Sequence, residues 1–318
     1  MPQVQVIHRT EYAYGRPVVL TTHRLMLRPQ DSHDLRLRDA RLLVEPPAAS
    51  TRWAHDVFGN SVCILEWPPG LRTSSLTITS RLELTHFPAG HAAPRATLDP
   101  SAEYFPFAYA ASELADLARL AEPHLPDPGH LVAAWARRFL AQDGTLAMLE
   151  AMNAAIHAEF TYLSREEEGT QSPAETLRLG SGACRDFALL MMEAARSLGL
   201  AARFVSGYVY DDSSGETRGG GSTHAWCAVY LPGAGWVEYD PTNGLVAGDH
   251  LVRIAVTRTP EQAVPIGGGF LGNPQDFAGM RVEVLVRAGH ELPPDPLPPL
   301  PESCGLTMPI LVSIRPRP

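Results

Sequence analysis

The chain has 318 residues, of which 45% are apolar and 19% are charged, and a formal net charge of −9 accompanies a pI near 5.7. This length can hold two domains with a core each, and the acidic balance argues against a nucleic-acid partner, which would need a basic face. No run of about 18 apolar residues occurs, so we expect no membrane partner. The first residues lack the basic and then apolar segments of a secretory signal, so we expect a cytoplasmic protein.

The N-terminal part is predicted to consist of strands and turns. Between residues 76 and 84 leucine and isoleucine recur at alternate positions with polar residues between them, and this period of two indicates a half-buried strand. Phe58-Gly59-Asn60 supplies a turn signal, and the apolar run 62–65 follows at once. We interpret residues 1–98 as a small β-sandwich.

The pattern becomes helical between residues 112 and 160. Met148, Met152 and Ile156 repeat there every four residues, and we interpret this stripe as core packing. A further helix is predicted at Ser172-Pro173-Ala174-Glu175. Serine can cap the helix, proline is tolerated at its first position, and the glutamate can reach back to the cap.

The next segment places a cysteine at a helix start. Gly180-Ser181-Gly182-Ala183 leads into Cys184, and apolar residues at helical spacing continue to Leu198, before Gly199 ends the helix. Three strand-like segments follow, at residues 203–210, 223–231 and 235–240. The last two are joined by a short hairpin connection, so they are expected to be antiparallel.

These elements predict an α+β protein with three parts. Residues 1–98 form the β domain. Residues 99–265 form a core of helices, one cysteine-bearing helix and an antiparallel sheet. Residues 266–318 contain a strand at 279–287 and a proline-rich tail.

The cysteines give no sign of a disulfide framework or of a metal site. Cys63, Cys184, Cys227 and Cys304 are scattered and form no CxxC pair, so we expect reduced thiols. His224 and Cys227 have ligand-like spacing, but no second pair would complete a tetrahedral site, and we expect no metal.

Cys184 is the candidate nucleophile. The unpaired N–H groups and the dipole of a helix start favour a negatively charged thiolate and could stabilise an oxyanion. Most isolated cysteines are small buried residues, however, and position alone leaves both interpretations open.

His224 and Asp240 are candidate partners of Cys184. A thiol needs a base that also protonates a leaving amine, and histidine suits both tasks near neutral pH. Because a tight hairpin joins their strands, His224 and Asp240 should meet at one end of the sheet, where the aspartate could fix the imidazole tautomer. The alternatives are a bystander histidine and a turn-forming aspartate before Pro241. Tyr162 could donate to an oxyanion, although a packed tyrosine is the commoner case.

Four short motifs follow one another along the core: Gly182-Ala183-Cys184-Arg185-Asp186-Phe187, Val205-Ser206-Gly207-Tyr208, His224-Ala225-Trp226, and Trp236 through Asn243. Together they resemble the core of the transglutaminase-like superfamily. Two N-terminal motifs, 24–29 and 55–60, resemble the bacterial transglutaminase-like N-terminal region. The resemblance implies a papain-like core, and a Cys-His-Asp triad carried onto Cys184, His224 and Asp240. It implies no cofactor.

Such a triad implies acyl transfer through a thioester on a peptide or protein substrate. Water as the acceptor would make the protein a cysteine peptidase or deamidase, and an amine would make it a cross-linking transglutaminase. We expect hydrolysis, because the chain shows no calcium-loop pattern of the kind that would switch a cross-linker on. The alternative from another class is a non-catalytic scaffold that binds a protein partner, and the oligomeric state is left open.

Overall fold

A computed structural model describes residues 1–88, 90, 92–165, 167–210, 222–248 and 250–289. The described part is a mixed α+β structure with several antiparallel sheets, so the predicted fold class is confirmed. None of the helices in these ranges combines the length and the hydrophobicity that a membrane span needs. Cys304, the proline-rich tail and the glycine-rich loop before His224 lie outside the described residues.

Two sheets form the N-terminal half. Its strands are β1 (Gln3–Leu20), β2 (His23–Arg28), β3 (Leu35–Glu45), β4 (Ser50–His55), β5 (Ser61–Glu66) and β6 (Arg72–His86). The alternating leucines and isoleucine predicted as a strand lie in β6 and are buried. β1 and β6 contribute to one sheet and β2 and β5 to the other, and apolar residues of all four strands share one core. The predicted sandwich is therefore present.

Three C-terminal strands complete these two sheets. They are β14 (Ile266–Gly267), β15 (Phe270–Leu271) and β16 (Phe277–Gly289), numbered after the strands of the core. β16 runs antiparallel along β1, β15 pairs with the end of β1, and β14 pairs with β2. The predicted strand at 279–287 is thus confirmed, and it belongs to the N-terminal sheet. The three-part division of the chain stays a prediction.

The second half packs helices against a five-stranded antiparallel sheet. The helices are α1 (Ala93–Thr97), α2 (Ala111–Ala121), α3 (Leu131–Arg137), α4 (Thr145–Glu159), α5 (Pro173–Leu179) and α6 (Cys184–Ser197). The strands are β9 (Ala202–Val209), β10 (His224–Leu231), β11 (Gly235–Asp240), β12 (Leu245–Val246) and β13 (Leu251–Thr257), and a short parallel pair, β7 (Thr161–Tyr162) and β8 (Ser181–Gly182), precedes α6. The sheet order is β12-β11-β10-β9-β13.

The methionine stripe of α4 packs in the core beneath this sheet. Met148, Met152 and Ile156 are buried with apolar residues of α6, β10 and β11. The predicted packing role is therefore confirmed. The predicted helix start at Ser172 is confirmed as well, because its hydroxyl accepts the N–H of Glu175 at 3.2 Å.

The two halves share a core at β9 and β13. Apolar residues of β1, β6 and β16 pack with residues of these two strands. Among them, Tyr208 and Tyr210 place their hydroxyls 2.9 and 2.8 Å from Nδ1 of His8 and His86. Burial lowers the pKa of both histidines to about 4, so the rings are neutral at neutral pH. Asn60 adds two hydrogen bonds to the backbone of β13, at 2.7 and 2.9 Å.

A buried ion pair ties α6 to its surroundings. Arg196 is 1% exposed and donates to Glu193 at 2.8 Å, and also to backbone carbonyls before α3, in β9 and after β13. The second oxygen of Glu193 accepts the N–H groups of His124 and Leu125. One guanidinium therefore satisfies carbonyls from three separate segments.

Arg196→Leu should destabilise the fold strongly. The substitution leaves the buried carboxylate of Glu193 without its cation, and breaking one side of a buried pair costs about 3–5 kcal/mol. Arg119→Leu is the matched control, because that arginine side chain is 74% exposed and its pairing should contribute less than about 1 kcal/mol. The free energy of unfolding in urea measures both, and equal losses would contradict a special role for Arg196.

Candidate active site

The start of α6 is held rigidly around Cys184. Cys184 is the first residue of α6 and is 8% exposed. The preceding Ala183 has no side-chain acceptor, and the carboxylate of Asp186 accepts the Ala183 N–H at 2.8 Å. Both oxygens of Asp186 also accept from Arg165 at 2.9 Å. An aspartate at the third helical position is the sequence signal for this arrangement.

A loop between β7 and α5 is fixed beside the cysteine. The guanidinium of Arg185 donates to the carbonyls of Gly169, Glu167 and Arg165. The Asp186 carboxylate accepts the backbone N–H of Gln171 at 2.7 Å. The two residues that follow the cysteine therefore attach this loop to the helix start.

His224 and Asp240 meet as the hairpin predicted. β10 and β11 pair in a register that sets Cys227 opposite Tyr239, which brings the start of β10 beside the end of β11. Nε2 of His224 lies 2.8 Å from Oδ2 of Asp240, and both side chains have no exposed area. Within the part of the chain that the structure describes, Nδ1 of His224 has no hydrogen-bond partner.

Electrostatics favour an ionised pair. Burial disfavours the imidazolium, but the charge of Asp240, its hydrogen bond and the interaction with Cys184 outweigh burial and raise the pKa of His224 to about 10. Burial also disfavours the carboxylate, yet the charge of His224 and the hydrogen bonds around it hold the pKa of Asp240 below its ordinary value. At neutral pH the imidazolium can therefore stabilise a thiolate on Cys184, whose interaction with the ring contributes to the raised pKa.

The carboxylate of Asp240 accepts hydrogen bonds both from the turn that follows it and from His224. Oδ1 accepts the backbone N–H groups of Thr242 at 2.9 Å and Asn243 at 3.4 Å, whereas Oδ2 accepts from His224 and from the side chain of Asn243 at 2.8 Å. The turn role considered as an alternative is thus present without excluding the histidine contact.

Known protein families match both halves of this structure. The model of the transglutaminase-like superfamily matches residues 133–241, which include all three predicted site residues. The model of the bacterial transglutaminase-like N-terminal region matches residues 4–85. Residues 133–241 therefore form a domain that matches the transglutaminase-like superfamily.

Two relatives and one solved structure are similar to this chain over most of its length. An uncharacterised protein of Mycobacterium tuberculosis (strain H37Rv) is 28% identical over 297 residues, which cover 91% of this chain and 94% of that protein. An uncharacterised protein of Mycobacterium leprae is 25% identical over 296 residues, covering 89% of this chain and 99% of that one. A crystal structure of a candidate cysteine protease from Cytophaga hutchinsonii has a TM-score of 0.63 at 18% identity, over 91% of this chain and 92% of that chain, and shows the same fold.

Tyr162 lies close to the predicted nucleophile of this transglutaminase-like core. Burial raises the pKa of its phenol, and the charges of Cys184 and Asp240 raise it further, against an opposite effect of Arg185. The phenol therefore keeps its proton at neutral pH and can donate a hydrogen bond. Its suggested contact with an oxyanion stays a prediction.

Gly207 makes room for the histidine strand. It lies opposite His224 in the pairing of β9 with β10. A Cβ atom at this position would lie 2.1 Å from the carbonyl oxygen of Val252 and 2.8 Å from the ring of Trp226, which stacks on His224. A backbone oxygen cannot yield as a flexible side chain can, so only glycine fits here.

Gly207→Ala should destabilise the fold. Overpacking of a core costs typically about 1–3 kcal/mol, and we expect the upper end because the clash is with backbone. Gly267→Ala is a matched control, since Gly267 also lies in a strand and its Cβ atom would meet nothing nearer than 4.0 Å. Chemical unfolding compares the two variants, and a Gly207→Ala protein as stable as Gly267→Ala would show that the strand can shift freely.

Proposed function

We propose that this protein is a thiol amidohydrolase that acts on peptide or glutamine amides through an acyl-thioester. Cys184 is the nucleophile, His224 transfers the proton, and Asp240 orients His224. The observation that carries the proposal is the fully buried contact of His224 Nε2 with Asp240, which leaves Nδ1 as the ring atom for Cys184. The name of the Cytophaga hutchinsonii protein, a candidate cysteine protease, agrees with this chemistry.

The first half-reaction forms the thioester. The Cys184 thiolate attacks the amide carbonyl carbon, the carbonyl oxygen becomes an oxyanion, and the C–N bond then breaks. The proton on Nδ1 of His224 passes to the nitrogen, which leaves as an amine or as ammonia. Because Cys184 is the first residue of α6, its own N–H has no acceptor within the helix and can donate to the oxyanion.

The second half-reaction returns the enzyme to its resting state. The neutral Nδ1 takes a proton from water, the hydroxide attacks the thioester carbonyl, and the carboxylic acid leaves as the thiolate reforms. His224 ends as the imidazolium. An amine in place of water would give a transamidated product by the same steps, so the triad serves both reactions.

An acyl-enzyme experiment tests the proposal. Incubation of the protein with a library of glutamine-containing peptides, followed by acid quenching and mass spectrometry, should reveal an acyl adduct on Cys184. Cys184→Ala should give no adduct and no turnover while its unfolding curve stays unchanged. Cys63→Ala is the control, because Cys63 is buried in the sandwich core. Turnover that survives in a folded Cys184→Ala protein would end the thiol-enzyme proposal and favour the scaffold.

Hydrolysis should dominate over cross-linking. A pre-positioned amine gains an effective molarity of about 10⁵ M or more, so a transglutaminase needs a site that holds its amine, and otherwise water wins. A benzyloxycarbonyl-glutaminyl-glycine substrate, supplied with and without millimolar putrescine, separates the outcomes by product mass. We expect glutamate product in both arms. Predominant putrescine adduct would make the protein a transglutaminase in activity.

Turnover should persist to high pH and then fall as His224 loses its proton. The pKa of about 10, above the ordinary 6.5, predicts an alkaline limb of kcat/KM near pH 10. Because the pKa of His224 is raised on folding, the contribution of its protonated form to stability is fully present below pH 6.5 and is lost as the pH rises through about 10. Asp240→Asn removes the charge that raises this pKa, so NMR titration of the ring should move to 6.5 or lower, and kcat should fall by up to about 10⁴-fold. An unmoved titration would contradict the pairing.

A further inference from the structure

The turn after Asp240 is held from outside by α4. Nδ1 of His157 lies 2.8 Å from the carbonyl oxygen of Thr242, and the amide of Asn153 donates to the carbonyl of Leu245 at 3.2 Å. The two residues are four apart on α4, so they lie on one face of the helix and reach the turn together. Because a carbonyl oxygen only accepts, Nδ1 of His157 carries the proton.

The Thr242 carbonyl that accepts from His157 belongs to a peptide unit that also donates a hydrogen bond to Asp240. The carbonyl of Thr242 and the N–H of Asn243 share one planar peptide, and that N–H points to Oδ1 of Asp240 at 3.4 Å. The side chain of Asn243 donates to Oδ2 at 2.8 Å. Holding the oxygen end of this peptide therefore sets the direction of the Asn243 backbone N–H.

Gly244 lies beside the His157 ring. Gly244 adopts a φ of +72°, and a Cβ atom there would lie 3.4 Å from Cδ2 of the ring. The N–H of Gly244 closes the turn on the Asp240 carbonyl at 2.8 Å. The ring, the glycine and the peptide thus form one contact between α4 and the turn.

We propose that His157 is a positioning residue for the Asp240–His224 pair. Its Nδ1–H fixes the Thr242–Asn243 peptide, which in turn holds the Asp240 carboxylate in the plane that receives Nε2 of His224. This inference rests on the proposed function, since it assigns His157 to the same site. His157 bonds to the Thr242 carbonyl, so in this proposal it acts through the carboxylate.

The geometry suggests variants that separate the donor from the ring. His157→Asn keeps a donor, because the amide nitrogen of asparagine is three bonds from Cα, as Nδ1 is in histidine. His157→Phe keeps a ring and loses the donor, and His157→Leu loses both. His33→Leu is the control for loss of an exposed histidine elsewhere. Each full-length variant is examined for thermal unfolding, for kcat and KM on the peptide found by acyl-enzyme capture, and for alkylation of Cys184 by iodoacetamide between pH 5 and pH 9.

The variants are expected to differ according to whether they keep the hydrogen-bond donor that orients the turn. His157→Phe and His157→Leu should lower kcat about 10- to 100-fold with KM little changed, as expected for a misplacement near 1 Å. Alkylation of Cys184 near pH 6 should slow in both, because a loosened Asp240 holds less charge on His224. His157→Asn and His33→Leu should stay within about threefold of wild type.

Two results would overturn the inference. One is a His157→Phe or His157→Leu protein with wild-type kcat and an unchanged alkylation profile. The other is a His157→Asn protein that loses as much kcat as His157→Leu, which would reduce His157 to a packing residue. If the wild type turned over no peptide, the proposed function would fail, whereas the alkylation profiles would still decide whether His157 controls the pair. If His157→Leu did not fold, the comparison of His157→Phe with His157→Asn would remain decisive.

Discussion

The fully buried contact of His224 with Asp240 constrains everything around it. Moving two ionised groups out of water costs several kcal/mol for each, and their attraction compensates only if the remaining hydrogen-bonding atoms are satisfied. The carboxylate meets this requirement with four donors, from the imidazole, two backbone N–H groups and the Asn243 amide. Those donors exist only if the chain turns back within four residues of Asp240. The geometry of the turn is therefore dictated by the charge that it surrounds.

The thiol of Cys184 is under a different constraint, because the helix α6 that carries it is held in place. Nearly every residue of α6 from Cys184 to Arg196 is buried, so the helix is enclosed by other helices and by the sheet rather than lying on a surface. Arg196 anchors its C-terminal end, and Asp186 anchors its first turn. A thiol on such a helix cannot move toward His224, so the strand that carries His224 must be positioned correctly for the proposed chemistry. Gly207, opposite His224, shows how closely β9 is fitted between β13 and β10.

Much of this site could be predicted because its signals are local. The cap at Ser172, the helix start at Cys184 and the hairpin between His224 and Asp240 each depend on a few neighbouring residues, and all three are present. The pairing of β16 with β1 joins residues as far apart as Gln3 and Gly289, and no local pattern specifies such a partner. His157 was missed for a similar reason. A half-buried histidine within a helix has no signal until the carbonyl that it contacts is known.

The N-terminal sandwich supports the strand beside the histidine. Successive residues of a strand point to opposite faces, so Gly207 faces the Trp226 side while Tyr208 faces the sandwich and contacts His8. Tyr210 repeats the contact two residues later with His86. These four aromatic groups are buried, and exposing them would leave apolar faces of both halves in water. β9, the strand that accommodates His224, is therefore positioned by contacts with the N-terminal sandwich, and these contacts give a physical reason why the core that carries Cys184, His224 and Asp240 is joined to that sandwich.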